Sequence, residues 1–86
     1  MINKKLMLDI VAFCNNYIDN NHILIEIAKF PSNAISTDIS VWKVDSDNSL
    51  ILCIGRIAKY IHNEDDFNVF KNDVLEKLPA LLKQFE

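Results

Sequence analysis

The stretch that decides the fold is VDSDNSLILCIGR, residues 44–56. It opens with the alternating oxygen side chains of a calcium loop, Asp45, Asp47 and Ser49, and closes as an apolar strand. A helix–loop–helix calcium site starting at Asp45 needs glycine at its sixth position for the turn and a bidentate glutamate at its twelfth. Those positions hold Leu50 and Arg56, and a cation where the bidentate acid belongs defeats the motif. Asp-Ser-Asp-Asn between two alternating apolar runs is instead turn chemistry, because Asp and Asn side chains hydrogen-bond their own backbone and tolerate the left-handed conformation. The stretch predicts a β-hairpin.

Working outward, Ile35, Thr37, Ile39 and Val41 alternate with Ser36, Asp38, Ser40 and Trp42. This is the period of a half-exposed strand, with Trp42 breaking its polar side. On the other side of the turn, Ser49 to Ile61 reads as a strand apolar on both faces, Ile51, Cys53, Ile57 and Ile61 against Leu50, Leu52, Ile54, Ala58 and Tyr60. Gly55, the only glycine in the chain, marks a bulge or a close contact with another backbone there. Upstream, His22 to Phe30 alternates Ile23, Ile25 and Ile27 with Leu24, Glu26, Ala28 and Phe30, and Pro31-Ser32-Asn33 ends it.

Helical spacing frames these strands. Leu6, Ile10, Phe13 and Tyr17 with Met7, Val11, Cys14 and Ile18 give a wide apolar stripe over residues 3–20. After His62, Asn63 is the expected N-cap, with Glu64, Asp65 and Asp66 in the first turn and Phe67, Phe70, Val74, Leu78, Leu81, Leu82 and Phe85 recurring behind it. Pro79 lacks an N–H and crowds the preceding turn, which predicts a kink or restart there. The expected fold is one α+β domain over residues 1–86, ordered α-β-β-β-α, with a three-stranded antiparallel meander.

Composition bounds the function. The 86 residues are half apolar and a quarter charged, a globular mixture, and a domain of this size buries only roughly 60–65% of the surface of its unfolded chain. The longest apolar run, Leu50 to Ile54, falls far short of the roughly 20 residues needed to span a bilayer. Asp9 sits inside the apolar part of the N-terminus and no small-residue cleavage site follows, so no signal peptide is read and the expected compartment is the cytoplasm. Abundant Ile, Asn and Lys beside a single Gly and a single Arg are the composition of an AT-rich genome, bacterial or phage. A net charge of −3 with scattered lysines argues against nucleic acid and for an electropositive partner.

Chemistry-bearing motifs are weak throughout. Cys14 and Cys53 lack any CxxC or Cys/His spacing and read as reduced thiols of core type. His22 and His62 bracket the strands and would have to meet in space to act as metal ligands or as an acid/base pair; exposed histidines at loop ends is the simpler reading. The serines lack a nucleophile elbow, and a single glycine excludes a phosphate loop. No catalytic residue, metal or cofactor is expected, and the chain reads as non-enzymatic.

Two groups of residues remain as binding candidates. Asp45, Asp47, Glu64, Asp65 and Asp66 form an acidic set that would suit a basic partner, although acids in a first helical turn also complement the helix dipole without any partner. Trp42, Leu50, Leu52, Ile54 and Tyr60 form an apolar set; if both helices cover one sheet face, either Leu50, Leu52, Ile54 and Tyr60 or the opposite set of the third strand lies open. Burying each such side chain is worth ~1.5–3 kcal/mol, so either the helices cover opposite faces or a second chain covers one. The expectation is a small acidic protein-binding domain of the immunity, antitoxin or phage-inhibitor kind, with a dimeric adaptor as the alternative. The α-β-β-β-α order resembles the beginning of the class I type III secretion chaperones. That resemblance implies an acidic homodimer that wraps secreted effectors around hydrophobic grooves.

Overall fold

The computed structural model describes residues 3–85. The elements are α1 (Lys4–Asn15), β1 (Ile23–Phe30), β2 (Ala34–Val44), β3 (Leu50–Ile61), α2 (Glu64–Leu82) and a closing 3-10 turn, Lys83–Phe85. The strands form a single antiparallel sheet in the order β1-β2-β3, the meander expected from the turn chemistry.

Both hairpins turn on an asparagine. Phe30 pairs with Ala34 across Pro31-Ser32-Asn33, and Asn33 takes φ 60. In the second turn Asp45 N donates to Ser49 O at 3.1 Å and Asn48 N to Asp45 O at 3.0 Å, with Asn48 at φ 61. Each is a three-residue loop whose last member is left-handed, a conformation that costs most side chains ~1–2 kcal/mol and that Asn tolerates.

Helix α1 is capped by Asn3, whose side chain accepts from Leu6 N at 2.8 Å. It ends earlier than its apolar spacing predicts. From Asn16 the chain tightens into turns in which Asn16 N, Tyr17 N and Ile18 N donate three residues back, to Phe13 O, Cys14 O and Asn15 O at 3.0–3.3 Å. Asn15 and Asn16 favour such turns over a continued helix because their side chains compete for nearby backbone groups. Helix α2 starts as expected, with the Asn63 side chain accepting from Asp66 N at 2.9 Å. It continues through Pro79 to Leu82 before the 3-10 turn.

Both helices lie on one face of the sheet. Leu6, Ile10 and Cys14 of α1 and Phe67, Phe70, Val74 and Leu78 of α2 are buried in one cluster with Ile35, Ile39, Val41, Ile57 and Ile61. Phe13 joins the helices edge-to-face, with ring centroids 6.1 Å from both Phe67 and Phe70. Side chains on a strand alternate between faces, so the opposite face carries Glu26, Ser36, Asp38, Ser40 and Arg56. Asp38 Oδ2 there lies 3.1 Å from Arg56 Nε, and Phe30 and Tyr60 meet at one end, centroids 6.1 Å apart. Neither helix covers this face, and its middle is polar; Ser40 there is buried, with the Trp42 indole donating to it.

The third strand is less regular than its alternation suggests. The β2–β3 register shifts between Val41 and Trp42 and again between Lys43 and Val44. Cys53 rather than Ile54 therefore lies opposite Trp42, and Leu50 opposite Val44. Two extra residues break the period of two. As a result Leu50, Leu52, Ile54 and Tyr60 do not share a face, and Ile51 does not join Ile57 and Ile61 in the core. Gly55 adjoins the first shift, and its close neighbour is a side chain rather than a backbone: a Cβ there would come within 2.6 Å of Leu81 Cδ2.

Candidate functional site

Strands β2 and β3 outrun β1. Ile23, the first residue of β1, pairs with Val41, so Trp42–Val44 and the facing start of β3 continue as a two-stranded arm. The arm ends in the Asp45–Ser49 turn, and its side chains are poorly covered: Leu50, Ile51 and Leu52 are 45%, 62% and 56% exposed. Three consecutive half-bare aliphatic residues are unusual on the surface of a small domain.

The arm is held in place despite this exposure. Asp45 Oδ1 accepts from Asp47 N at 2.8 Å and Ser49 N at 3.0 Å, which rigidifies the turn. Asn21 Nδ2 donates to Asn48 Oδ1 at 2.9 Å and ties the tip to the segment before β1. At the base of the arm the Trp42 indole N–H donates to Ser40 Oγ at 2.8 Å, keeping the ring back over the polar face. His22 Nδ1 lies 2.9 Å from Trp42 O, and the His22 ring stacks on Phe85 with centroids 3.7 Å apart.

The fold divides both candidate sets between two ends of the molecule. Asp45 and Asp47 sit at the tip beside Leu50 and Leu52, with Trp42 and Ile54 at the base of the arm. Tyr60 pairs with Ser36, six residues along β2 from Trp42 and therefore about 20 Å away. Glu64, Asp65 and Asp66 occupy the first turn of α2, just beyond the end of β3. The acids also differ in what they already do. Asp45 holds its turn. Asp66 Oδ2 accepts from His62 N at 2.9 Å, and that backbone hydrogen bond, helped by the His62 ring, holds its carboxyl below the usual aspartate range against an opposing desolvation. Asp47, Glu64 and Asp65 are exposed.

The two histidines do not meet. His22 lies beside Trp42, whereas His62 follows Ile61, which pairs with Ile35, about 23 Å along β2. Among the described residues no three His, Cys, Asp or Glu side chains gather at metal-binding range, and no helix is long and apolar enough to cross a membrane. Cys14 is buried and free, its thiol pushed up to about 11 by burial. Cys53 is free and half-buried, with Sγ 3.6 Å from Gly55 O.

Sequence reasoning did not single out Ile51, the most exposed of the three arm residues, because strict alternation grouped it with Cys53, Ile57 and Ile61 on the opposite strand face; Gly55 signalled the first register shift but not the second, at Ile51. It also missed an apolar groove of about 240 Å³ between α1 and β1, lined by Val11, Cys14, Asn15, Ile18, Ile23, Ile25 and Ile27. Compared with protein-family models, with curated proteins and with solved structures, the chain matches none.

Proposed function

We propose that the protein is a non-enzymatic binding domain that docks a partner protein on the β2–β3 arm and neutralises it in the manner of an immunity protein, antitoxin or phage inhibitor. The observation that carries this reading is the run Leu50-Ile51-Leu52, about half exposed on a hydrogen-bonded arm that no helix covers. Completing the burial of a half-exposed aliphatic side chain is worth about 1 kcal/mol; because Leu50 and Leu52 point to opposite faces of the arm, the three together reward a partner that clasps the arm from both sides. The free carboxylate of Asp47 and the net charge of −3 give the arm an acidic rim. The complementary partner has an apolar pocket edged by Lys or Arg, and the charges raise its association rate.

The test is affinity capture from the source lysate with wild type, Leu52→Asp and Asp47→Ala, followed by binding kinetics on the recovered protein. One stoichiometric basic partner is expected, lost with Leu52→Asp and bound more slowly and with less salt dependence by Asp47→Ala. Equal capture by all three proteins overturns the reading. The single tryptophan, at the base of the arm, reports the contact by fluorescence. The alternative, a dimeric adaptor or secretion-chaperone-like module, draws support from a different surface, the groove between α1 and β1.

A further inference from the structure

We propose that the free edge of β1 pairs with β1 of a second copy of this chain, antiparallel across a two-fold axis, joining the two sheets into one of six strands. The phase of the β1–β2 ladder makes that edge available. Trp42 N donates to His22 O at 2.7 Å, and Leu24, Glu26 and Ala28 follow in the same phase opposite Ser40, Asp38 and Ser36. Alternate residues of an antiparallel strand face opposite ways, so the N–H and C=O groups of Ile25 and Ile27 point away from the sheet. No hydrogen bond within the described residues engages them there; Ile23 N is already taken by Asn20 O at 3.1 Å.

This row of alternating donors and acceptors has the spacing of an extended main chain. The side chains beside it fit an aliphatic one: Ile23, Ile25 and Ile27 line a groove with Val11 of α1 and Ile18 of the turns that follow it, no charged residue lines that groove, and Ile18 is 64% exposed. A second copy supplies both features at once. Centred on Ile25, the two-fold places Ile23 opposite Ile27 of the second copy and Glu26 opposite Leu24, so no like charges stand directly across from one another. The same axis turns the exposed flank of α1 toward its counterpart.

The contact is small. A strip as long as eight-residue β1, about 27 Å, and 17–24 Å deep gives each copy roughly 450–650 Å², below the ~800 Å² per partner of a standard interface. The dimer is accordingly weak and concentration-dependent. It uses a surface separate from the arm, so its failure and the failure of the arm to bind a partner are distinguishable.

The experiment is sedimentation velocity from micromolar to millimolar protein, with amide exchange at Ile25 and Ile27 followed over the same range. Dimer formation should grow with concentration, and those two amides should become protected in step with it. Val11→Lys with Ile18→Lys, one exposed on α1 and the other exposed in the turns after it, should raise the dissociation constant at least about tenfold by placing charge in the desolvated contact. A monomer at millimolar concentration overturns the proposal, as does a dimer in which Ile25 and Ile27 exchange as freely as in the monomer. Protection of those amides by an added aliphatic peptide, without self-association, would assign the edge to a foreign strand instead. The exchange readout uses the native chain and stands even if the double variant misfolds.

Discussion

Strands β1 and β3 both leave backbone groups facing away from β2, yet their surroundings differ. The edge of β3 is bent by two register shifts, and the groove beside it is lined by Arg56, Glu76 and Lys77. Bulges and charges of this kind are how natural sheets discourage edge-to-edge pairing. The edge of β1 keeps all eight of its pairs in unbroken register, and its groove has an uncharged lining. In sequence the two strands look alike, ILIEI in one and LILCI in the other. Besides the register shifts, what separates them is the chain alongside: α2 lines the groove at β3 with Glu76 and Lys77, whereas α1 and the turns after it line the groove at β1 with Val11 and Ile18. A strand's exposure to a partner is thus decided largely by residues far from it in the chain.

The largest test of this contrast removes what the two edges share. Phe70 is fully buried between the helices and the sheet, and Phe70→Ala should cost about 3–5 kcal/mol. Urea denaturation should show one cooperative transition moved to lower midpoint, with the amides of β1 and β3 losing protection together. If β1 opened at a lower denaturant concentration than β3, the edges would belong to separately stable units and the contrast would be one of local stability rather than of surface chemistry.

A smaller effect is expected from opening the guarded side alone. Because Leu81 lies against Gly55, Gly55→Val must push α2 or its side chain outward, at about 1–3 kcal/mol for overpacking. Gly55→Ala should cost less, since the atom in the way is the end of a flexible leucine. Gly55 has no positive φ, so a cost as large for Ala as for Val would mean that backbone strain, not the Leu81 contact, dictates the glycine.

Much of this arrangement was legible in advance, for reasons that can be named. The order α-β-β-β-α follows from periodicity and from the strength of two asparagine-terminated turns. The N-cap at Asn63 follows from a polar residue placed before acids and an apolar repeat. The premature end of α1 was not legible, because Tyr17 and Ile18 keep helical spacing while their backbone has already left the helix. The arm was half legible. Leu50 and Leu52 were identified from their apolar crowding, but Ile51 was hidden by an alternation that the register shifts cancel. The α1–β1 groove was not legible at all, since it exists only where α1 and β1 approach in space.

The smallest effect concerns how the far ends of the two strands are fastened. The beginning of β1 is held by His22 stacked on Phe85, while the end of β3 is tied to α2 by the Asp66 carboxylate accepting from His62 N. The native state holds that carboxyl below its ordinary value, chiefly through this backbone hydrogen bond, so folding favours the ionised form. The resulting stabilisation is complete above the unfolded aspartate value, near pH ~3.9, and is lost as pH falls through the depressed native value. Asp66→Asn removes the charge but keeps an acceptor, so it should be slightly less stable than wild type at pH 7 and should converge with it in strong acid. Urea melts at neutral and acid pH measure the convergence, and amide exchange locates it. Loosening confined to the β3–α2 junction fits the geometry, whereas equal loosening at the start of β1 would mean that acid acts on the shared core and that the two ends are not fastened independently.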